Sequence, residues 1–329
     1  MQPNIITVEQ VFFTTHNIYI MQELITGGDL FSFLNYKRGR LEDVEAAVVV
    51  RQLLKAVEYL HDMGVVHRDI KPDNVLMTSW RDGARIVLTD FGHATRIELD
   101  GGSKHADYSK HRMHSTVGTY EFTAPEVHGR NRTIPKDRGY SNAIDMWSVG
   151  AIAATLLSGD VIFVDRKDEA FENDPLNAIM TLAERCDLSI VDCGSVWKSV
   201  GHRPKAFVKS LLVLEEDRRL TAKQALQHPW FTNHRHAAEF EGVYQRAISD
   251  WKPRTPNKIL VESVDTSRLG PVSFPTNHRQ VPQTSEISHY FNTPFKPPVP
   301  RSQDVSPLSK KTNHTSLPPF HEGVCSPDR

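Results

Sequence analysis

Apolar positions along the chain switch between a period of two and a period near 3.6, and the switches mark the elements. Asn4-Ile5-Ile6 and Ile18-Tyr19-Ile20-Met21 are short β-branched runs, which predicts two strands meeting at a Thr14-Thr15-His16-Asn17 turn. Asp29 then stands where a helix N-cap belongs, with Gly39 past the end of the helix it starts. Over residues 41–62, Val44, Ala47, Val48, Leu54, Val57 and Leu60 recur near helical spacing and Gly64 supplies the stop, which predicts a buried helix. Val75-Leu76-Met77 and Ile86-Val87-Leu88 flank Asp82-Gly83, the signal of a β-hairpin. Asn142 to Ser158 reads as an apolar helix ended by Gly159, and Thr221-Ala222-Lys223-Gln224 as a capping-box start.

The pattern fades at the end of the chain. Residues 252–329 hold 13 of the 20 prolines, with many Ser, Thr and Asn and little apolar periodicity. Such a composition buries too little surface to offset the entropy of ordering, so a flexible tail is expected after a globular body. The body comprises residues 1–22 and 23–235 as two parts, with 236–329 as a mostly disordered Pro/Ser/Thr-rich tail.

Composition changes this picture little. The chain has 329 residues with 39% hydrophobic, enough for a substantial core. Its net charge of -1 divides into -5 for residues 1–251 and +4 for the tail, so no basic nucleic-acid face is indicated. Cys186, Cys193 and Cys325 form no Cys-x-x-Cys site and no even disulfide set, which favours a reducing compartment in the nucleus or cytoplasm. No signal peptide is visible, and the longest apolar run, Val149 to Leu157, is short of the roughly 20 residues a bilayer span needs. Histidines gather at His105, His111 and His114 and at His228, His234 and His236, without the acidic or thiol partners of a metal site, and read as surface residues.

The chemistry concentrates in His67-Arg68-Asp69-Ile70-Lys71-Pro72-Asp73-Asn74. Asp69 can meet a hydroxyl, Lys71 can neutralise a phosphoryl group, and Asn74 offers an oxygen to a hard cation. These groups alone would also suit an ordinary polar loop. Asp90-Phe91-Gly92 follows sixteen residues after Asn74, so the hairpin brings two metal-capable oxygens into one cleft. Ala124-Pro125-Glu126 and Asp145-Met146-Trp147-Ser148-Val149-Gly150 come next, and the stretch from His93 to Thr123 is long, polar and suited to a mobile segment.

In order and spacing this set resembles the protein kinase family over about residues 1–235. The resemblance implies an α+β, kinase-like fold, mainly the helical large lobe with the last strands of the small lobe, using ATP and Mg²⁺. It implies that Asp69, Lys71 and Thr119 are catalytic, that Asn74 and Asp90 hold the metal, and that Glu23, Ile25, Asp29 and Leu76 contact the nucleotide, with Gln22 as gatekeeper. Arg68, Ser115 and Thr116 become regulatory residues: Ser115, three residues before Gly118, stands at the usual activation phosphosite, and Thr116 is its close rival. His67, Phe91, Glu126, Asp145 and Arg219 become structural, with Asp145 supporting the loop and Arg219 paired with Glu126.

Lys71 together with Gly118-Thr119 implies Ser/Thr substrates. Asp29 and Asp73 imply recognition of an arginine three positions before the target, and Thr155, standing where a further acid would be, implies weak demand at minus two. The Ile25-Thr26-Gly27-Gly28-Asp29 segment and Gly118 to Glu126 are most similar to checkpoint and meiosis-specific kinases of the calcium/calmodulin-dependent group, which carry a forkhead-associated domain upstream, and this favours the nucleus. No glycine-rich loop, Val-Ala-x-Lys strand or paired glutamate is found before Asn4. Two expectations stay open: an N-terminally truncated Ser/Thr kinase, or a catalytically impaired fragment acting as a scaffold with a partner over the uncovered small-lobe surface. The tail offers Thr255, Thr293, Ser306 and Ser326 before prolines, and Ser302-Gln303, as modification sites.

Overall fold

The structure is a computed structural model. It describes residues 1–14, 17–97, 112–135, 137–165, 168–232, 237–253 and 261–263. Residues 98–111 of the His93–Thr123 stretch, with His105 and His111, lie outside these residues, as do the tail phosphosites, His234, His236 and Cys325.

Strands β1 (Val8–Phe13) and β2 (Ile18–Gln22) pair antiparallel, from Phe13 opposite Ile18 to Val8 opposite Gln22. The first strand was expected at Asn4–Ile6, but that segment lies elsewhere. Asn4 Nδ2 donates to Gln52 Oε1 at 2.9 Å and to Ile86 O at 2.8 Å, and Ile6 N donates to Leu88 O at 2.9 Å. A buried amide needs such partners, so Asn4–Ile6 is held against the edge of a later hairpin. Helix α1 (Leu30–Tyr36) starts at Asp29, whose carboxylate accepts from Ser32 N at 2.6 Å. Helix α2 (Asp43–Asp62) buries the expected stripe with one exception: Val44 sits in the first turn and is 43% exposed.

Helix α2 leads into β3 (Val65–Val66), the loop from His67 to Asn74, and the hairpin of β4 (Val75–Met77) and β5 (Ile86–Leu88). Strand β6 (Thr95–Arg96) returns to pair with β3. Helix α3 (Ala143–Ser158) is apolar all round and is buried along almost its whole length, as such a helix must be. A Cβ on its Gly150 would lie 2.8 Å from Leu211 Cβ, so glycine sets how near the neighbouring helix comes. The remainder of the lobe is α4 (Glu169–Asn173), α5 (Pro175–Arg185), α6 (Ser189–Cys193), α7 (His202–Leu211) and α8 (Ala222–Leu226). Helix α3 packs on both α2 and α7. No described helix is long and apolar enough to cross a membrane.

The body does not end at 235. Helix α9 (Ala237–Ala247) buries Phe240 and Tyr244 on the lobe, and β7 (Val261–Ser263) pairs parallel with Val11–Phe13. Phe240, Val243 and Tyr244, at i, i+3 and i+4, form an apolar face that the proline-rich composition further on obscured. At the other end of the chain, β2 exposes Ile18 (60%), Ile20 (57%) and Met21 (54%).

A buried ion pair joins distant segments of the large lobe. Arg219 Nη1 donates to Glu126 Oε1 at 2.8 Å and to Ala143 O at 2.8 Å, while Arg219 Nε donates to Val213 O at 3.1 Å. Asn131 Nδ2 donates to the other Glu126 oxygen at 3.0 Å. Truncating one partner would strand the other charge in the interior. Arg219→Met is therefore expected to lower unfolding stability by about 3–5 kcal/mol, measured by urea denaturation with Arg218→Met, on an adjacent surface residue, as control.

Candidate active site

The loop after β3 owes its shape to one carboxylate on α3. Asp145, fully buried, accepts from His67 N and Arg68 N, both at 2.9 Å, and from His61 Nε2 at 2.9 Å. Burial pushes its carboxyl up, but the hydrogen bond and charge of His61 and the loop amides outweigh it and hold the group below the usual carboxylate range. Arg68 consequently takes a left-handed backbone with φ of +69°, a conformation rare outside glycine. His67 Nε2 meets Thr89 O at 3.0 Å and its ring meets Phe91 edge-on at 4.9 Å, which ties the loop to the Asp90-Phe91-Gly92 turn.

Three of the expected catalytic residues converge. Thr119 Oγ1 donates to Asp69 Oδ1 at 3.1 Å and accepts from Lys71 Nζ at 2.7 Å, and Lys71 Nζ lies 3.1 Å from Asp69 Oδ2. Thr119 N adds a bond to Asp69 Oδ1 at 3.1 Å. Gly118 permits this approach: its φ is +101°, and a Cβ there would lie 2.9 Å from Arg68 O. Burial raises the Asp69 carboxyl, yet Lys71, Thr119 and Asn74 together bring it below its ordinary value. Asp69 is thus an ionised acceptor aimed by four donors.

Asn74 Nδ2 donates to Asp69 O at 2.8 Å and Asp69 Oδ2 at 3.0 Å, which turns Asn74 Oδ1 away from Asp69. Thr89 N donates to Asn74 O at 2.9 Å, so the hairpin sets Asn74 beside the approach to Asp90. Asp90 has φ of +60° and accepts from Gly92 N at 3.1 Å through Oδ1, leaving Oδ2 for a ligand. One amide oxygen and one carboxylate fit Mg²⁺, which keeps most of its shell as water and substrate phosphate. Among the described residues no group of three or more metal-ligating side chains gathers, including at His114 and His228.

The nucleotide side is assembled on β4. Gly27 N donates to Met77 O at 2.9 Å and Met77 N to Gly28 O at 2.8 Å, and a Cβ on Gly27 would strike Met77 O at 2.2 Å. Glycine at 27 therefore serves close backbone approach as well as turning. Leu76, between buried Val75 and Met77, alternates to the other face of β4 and is bridged to Asp29. Ile25 is half-buried. Glu23 N donates to Thr7 O at 2.9 Å, which engages the backbone amide of this expected nucleotide contact. Its side chain pairs with Arg85 at 2.8 Å and accepts from Thr7 N at 3.0 Å, a brace that no local sequence motif announces.

Ser115 and Arg68 also meet: Arg68 Nη1 donates to Ser115 Oγ at 2.6 Å and to Tyr140 OH at 3.3 Å, and Tyr140 OH donates to Ser115 O. Thr116 is exposed and is not brought to Arg68 by any hydrogen bond of the described residues. Met113 pairs with Tyr140 through two backbone bonds of 2.9 Å, and Arg112 is clamped by Glu216 and Gly139 O. Tyr140 and His93 were not anticipated. His93 Nδ1 lies 3.7 Å from Asp69 Oδ2, and His93 O accepts from Arg68 Nε at 2.6 Å. Thr155 is 2% exposed and bonds back to Ala151 O at 2.9 Å, so it presents nothing to a substrate.

A helical lobe that presents a carboxylate, a lysine and a threonine in one triangle beside two metal-capable oxygens is the large lobe of a protein kinase. The protein kinase domain family model matches residues 1–231, and the chain belongs to that family. It is 34% identical over 289 residues to the meiosis-specific serine/threonine-protein kinase MEK1 of Saccharomyces cerevisiae, covering 79% of this chain and 53% of that protein. It is 32% identical over 289 residues to calcium/calmodulin-dependent protein kinase type IV of Rattus norvegicus, covering 87% and 54%, and 34% identical over 247 residues to a serine/threonine-protein kinase H1 homolog of Danio rerio, covering 75% and 52%. The chain spans about half the length of these relatives.

Asp145 gives a pH test. Its folded-state pKa is depressed, so its contribution to stability is complete above the unfolded carboxylate value of about 4 and is lost as pH falls from there toward the folded value. Asp145→Asn turns an amide N–H₂ toward donors and should cost about 1–3 kcal/mol at pH 7. The variant's stability should also decline less steeply than wild type below about pH 4; urea midpoints between pH 7 and 3 measure both.

Proposed function

We propose that this chain carries the catalytic half of an ATP- and Mg²⁺-dependent protein serine/threonine kinase. The observation that carries the reading is the triangle of Asp69, Lys71 and Thr119 with Asn74 bonded to its base. Asp69 orients a substrate hydroxyl and receives its proton. A carboxylate held below its usual range is a weak base, which suits a transfer that depends more on alignment than on proton abstraction. Lys71 neutralises charge on the transferred group. Asn74 and Asp90 would hold Mg²⁺, which when bound offsets the charge of the phosphates.

Substrates are proteins with arginine three positions before Ser or Thr, read by Asp29 and Asp73. Asp29 keeps one carboxylate oxygen beyond its cap bond, and Asp73 is exposed beside the catalytic loop. The buried, uncharged Thr155 gives no support for a demand at minus two. The similarity to a meiosis-specific kinase supports a place in checkpoint or meiotic signalling and in the nucleus. Phosphorylation of Ser115 regulates the site, because its hydroxyl already sits in the Arg68 guanidinium and a phosphate there would gain charge-assisted bonds.

A second reading is a binding scaffold, favoured by the exposed apolar side chains of β2, where a partner protein would be covered against Ile18, Ile20 and Met21. Titration calorimetry with Mg·ATP and transfer to an Arg-minus-three peptide separate the two. Wild type should bind and transfer, Asp90→Asn should lose Mg-dependent binding, and Asp69→Asn should keep binding while transfer falls about 10²–10⁴-fold. Absence of both binding and transfer in wild type leaves the scaffold. Once transfer is established, Ser115→Ala should lower it after treatment with an activating kinase, and equal activity would remove Ser115 as the switch.

A further inference from the structure

The segment after the large lobe touches in turn α2, the tip of the β4–β5 hairpin and β1. Helix α9 docks on α2: Arg51 Nη2 lies 2.7 Å from Glu241 Oε2, and Lys55 Nζ lies 4.1 Å from the Tyr244 ring centre. Burial of Tyr244 pushes its hydroxyl pKa up, as for a ring seated in the lobe. Next, α9 covers the tip of the β4–β5 hairpin. Val243 Cγ1 would meet a Cβ on Gly83 at 2.8 Å, and Gly83 has φ of +74°. The chain then turns through Trp251 N donating to Ile248 O at 3.0 Å. Trp251 and Lys252 close a cavity of about 280 Å³ with Thr7, Glu9, Glu23 and Arg85. These include the Glu23–Arg85 ion pair beside the Glu23–Gly28 segment, the hinge between the strands and the helical lobe. Finally β7 adds to the edge of β1, with Val261 opposite Val11 and Ser263 opposite Phe13.

We propose that Ala237–Lys252 together with Val261–Ser263 forms a hinge brace: it fixes β1 and the Glu23–Gly28 segment relative to α2 and the β4–β5 hairpin. None of its described residues makes a hydrogen bond or ion pair to Asp69, Lys71, Asn74 or Asp90. The brace therefore acts by setting where the hinge stands and leaves the cleft open. Its contacts are unequal along its length. The α9 end has two buried aromatic rings and an ion pair, whereas the β7 end has three paired residues, of which Val261 is 51% exposed. The weak end is the one on β1, so the brace releases from β1 first and from α2 last. The proposal goes beyond kinase activity and does not depend on nucleotide binding.

Hydrogen exchange followed by mass spectrometry on the full chain, without nucleotide, tests it with two variants. Val261→Pro alters an exposed residue, touches no core side chain and opposes strand pairing. Trp251→Ala removes the ring beside the hinge. Val261→Pro should speed exchange of Val11–Phe13 about tenfold or more, and Trp251→Ala should do so for both Thr7–Phe13 and Glu23–Gly28, while α3 stays at the wild-type rate. Wild-type exchange in β1 for Val261→Pro overturns the proposal, whatever Trp251→Ala does. Faster exchange confined to α9 and residues after it overturns it as well, since the segment would then be attached to the lobe without holding the hinge.

Discussion

The carboxylate of Asp145 is the constraint on which the rest of the site depends. It lies in a helix whose neighbours are nearly all apolar, and its oxygens are taken by two successive loop amides and one imidazole. A buried charge is tolerable only when its acceptor positions are filled, so the demand runs both ways. The loop cannot straighten without stranding the carboxylate, and the carboxylate cannot persist without the loop's shape. Because α3 is packed on both α2 and α7, that shape is referred to the most rigid part of the lobe. The approach of Thr119 and Asn74 to Asp69 follows from it.

Behind this contact lies a division of labour among charged pairs. Glu126 with Arg219 and Glu23 with Arg85 join parts of the chain far apart in sequence, one inside the large lobe and one beside the hinge. Neither reaches the cleft. Lys71 with Asp69 is the pair placed where substrate would enter, and it is shared with a threonine and an amide. Lys71, Thr119 and Asn74 thus act together on one carboxylate and hold it below its ordinary value.

Much of the large lobe could be read directly because its elements depend on local periodicity. The α2 stripe, the Asp82-Gly83 hairpin and the largely apolar α3 each announce themselves within a short window, and Asp69, Lys71, Asn74 and Asp90 lie in segments whose order carries information. What stayed hidden depends on partners far along the chain. Asn4–Ile6 looks like a free strand until Gln52 and Ile86 claim its amide. Glu23 looks like a hinge residue with an idle side chain until Arg85 is seen beside it. Tyr140 and His93 belong to no short motif, and only folding brings them to Ser115 and Asp69. Helix α9 is hidden for a different reason: the Phe240, Val243 and Tyr244 face adjoins a long stretch whose average composition predicts no structure.

The left-handed backbones at Arg68 and Asp90 have a consequence for how this sequence can vary. Each non-glycine residue in that region costs about 1–2 kcal/mol, and Arg68 directly precedes Asp69 while Asp90 is itself a candidate metal ligand. Glycine at either place would relax the chain and remove a charge that the arrangement uses. Selection for thermal robustness and selection for chemistry therefore pull in opposite directions at these two positions. A descendant of this chain under selection for stability alone should drift toward glycine there first.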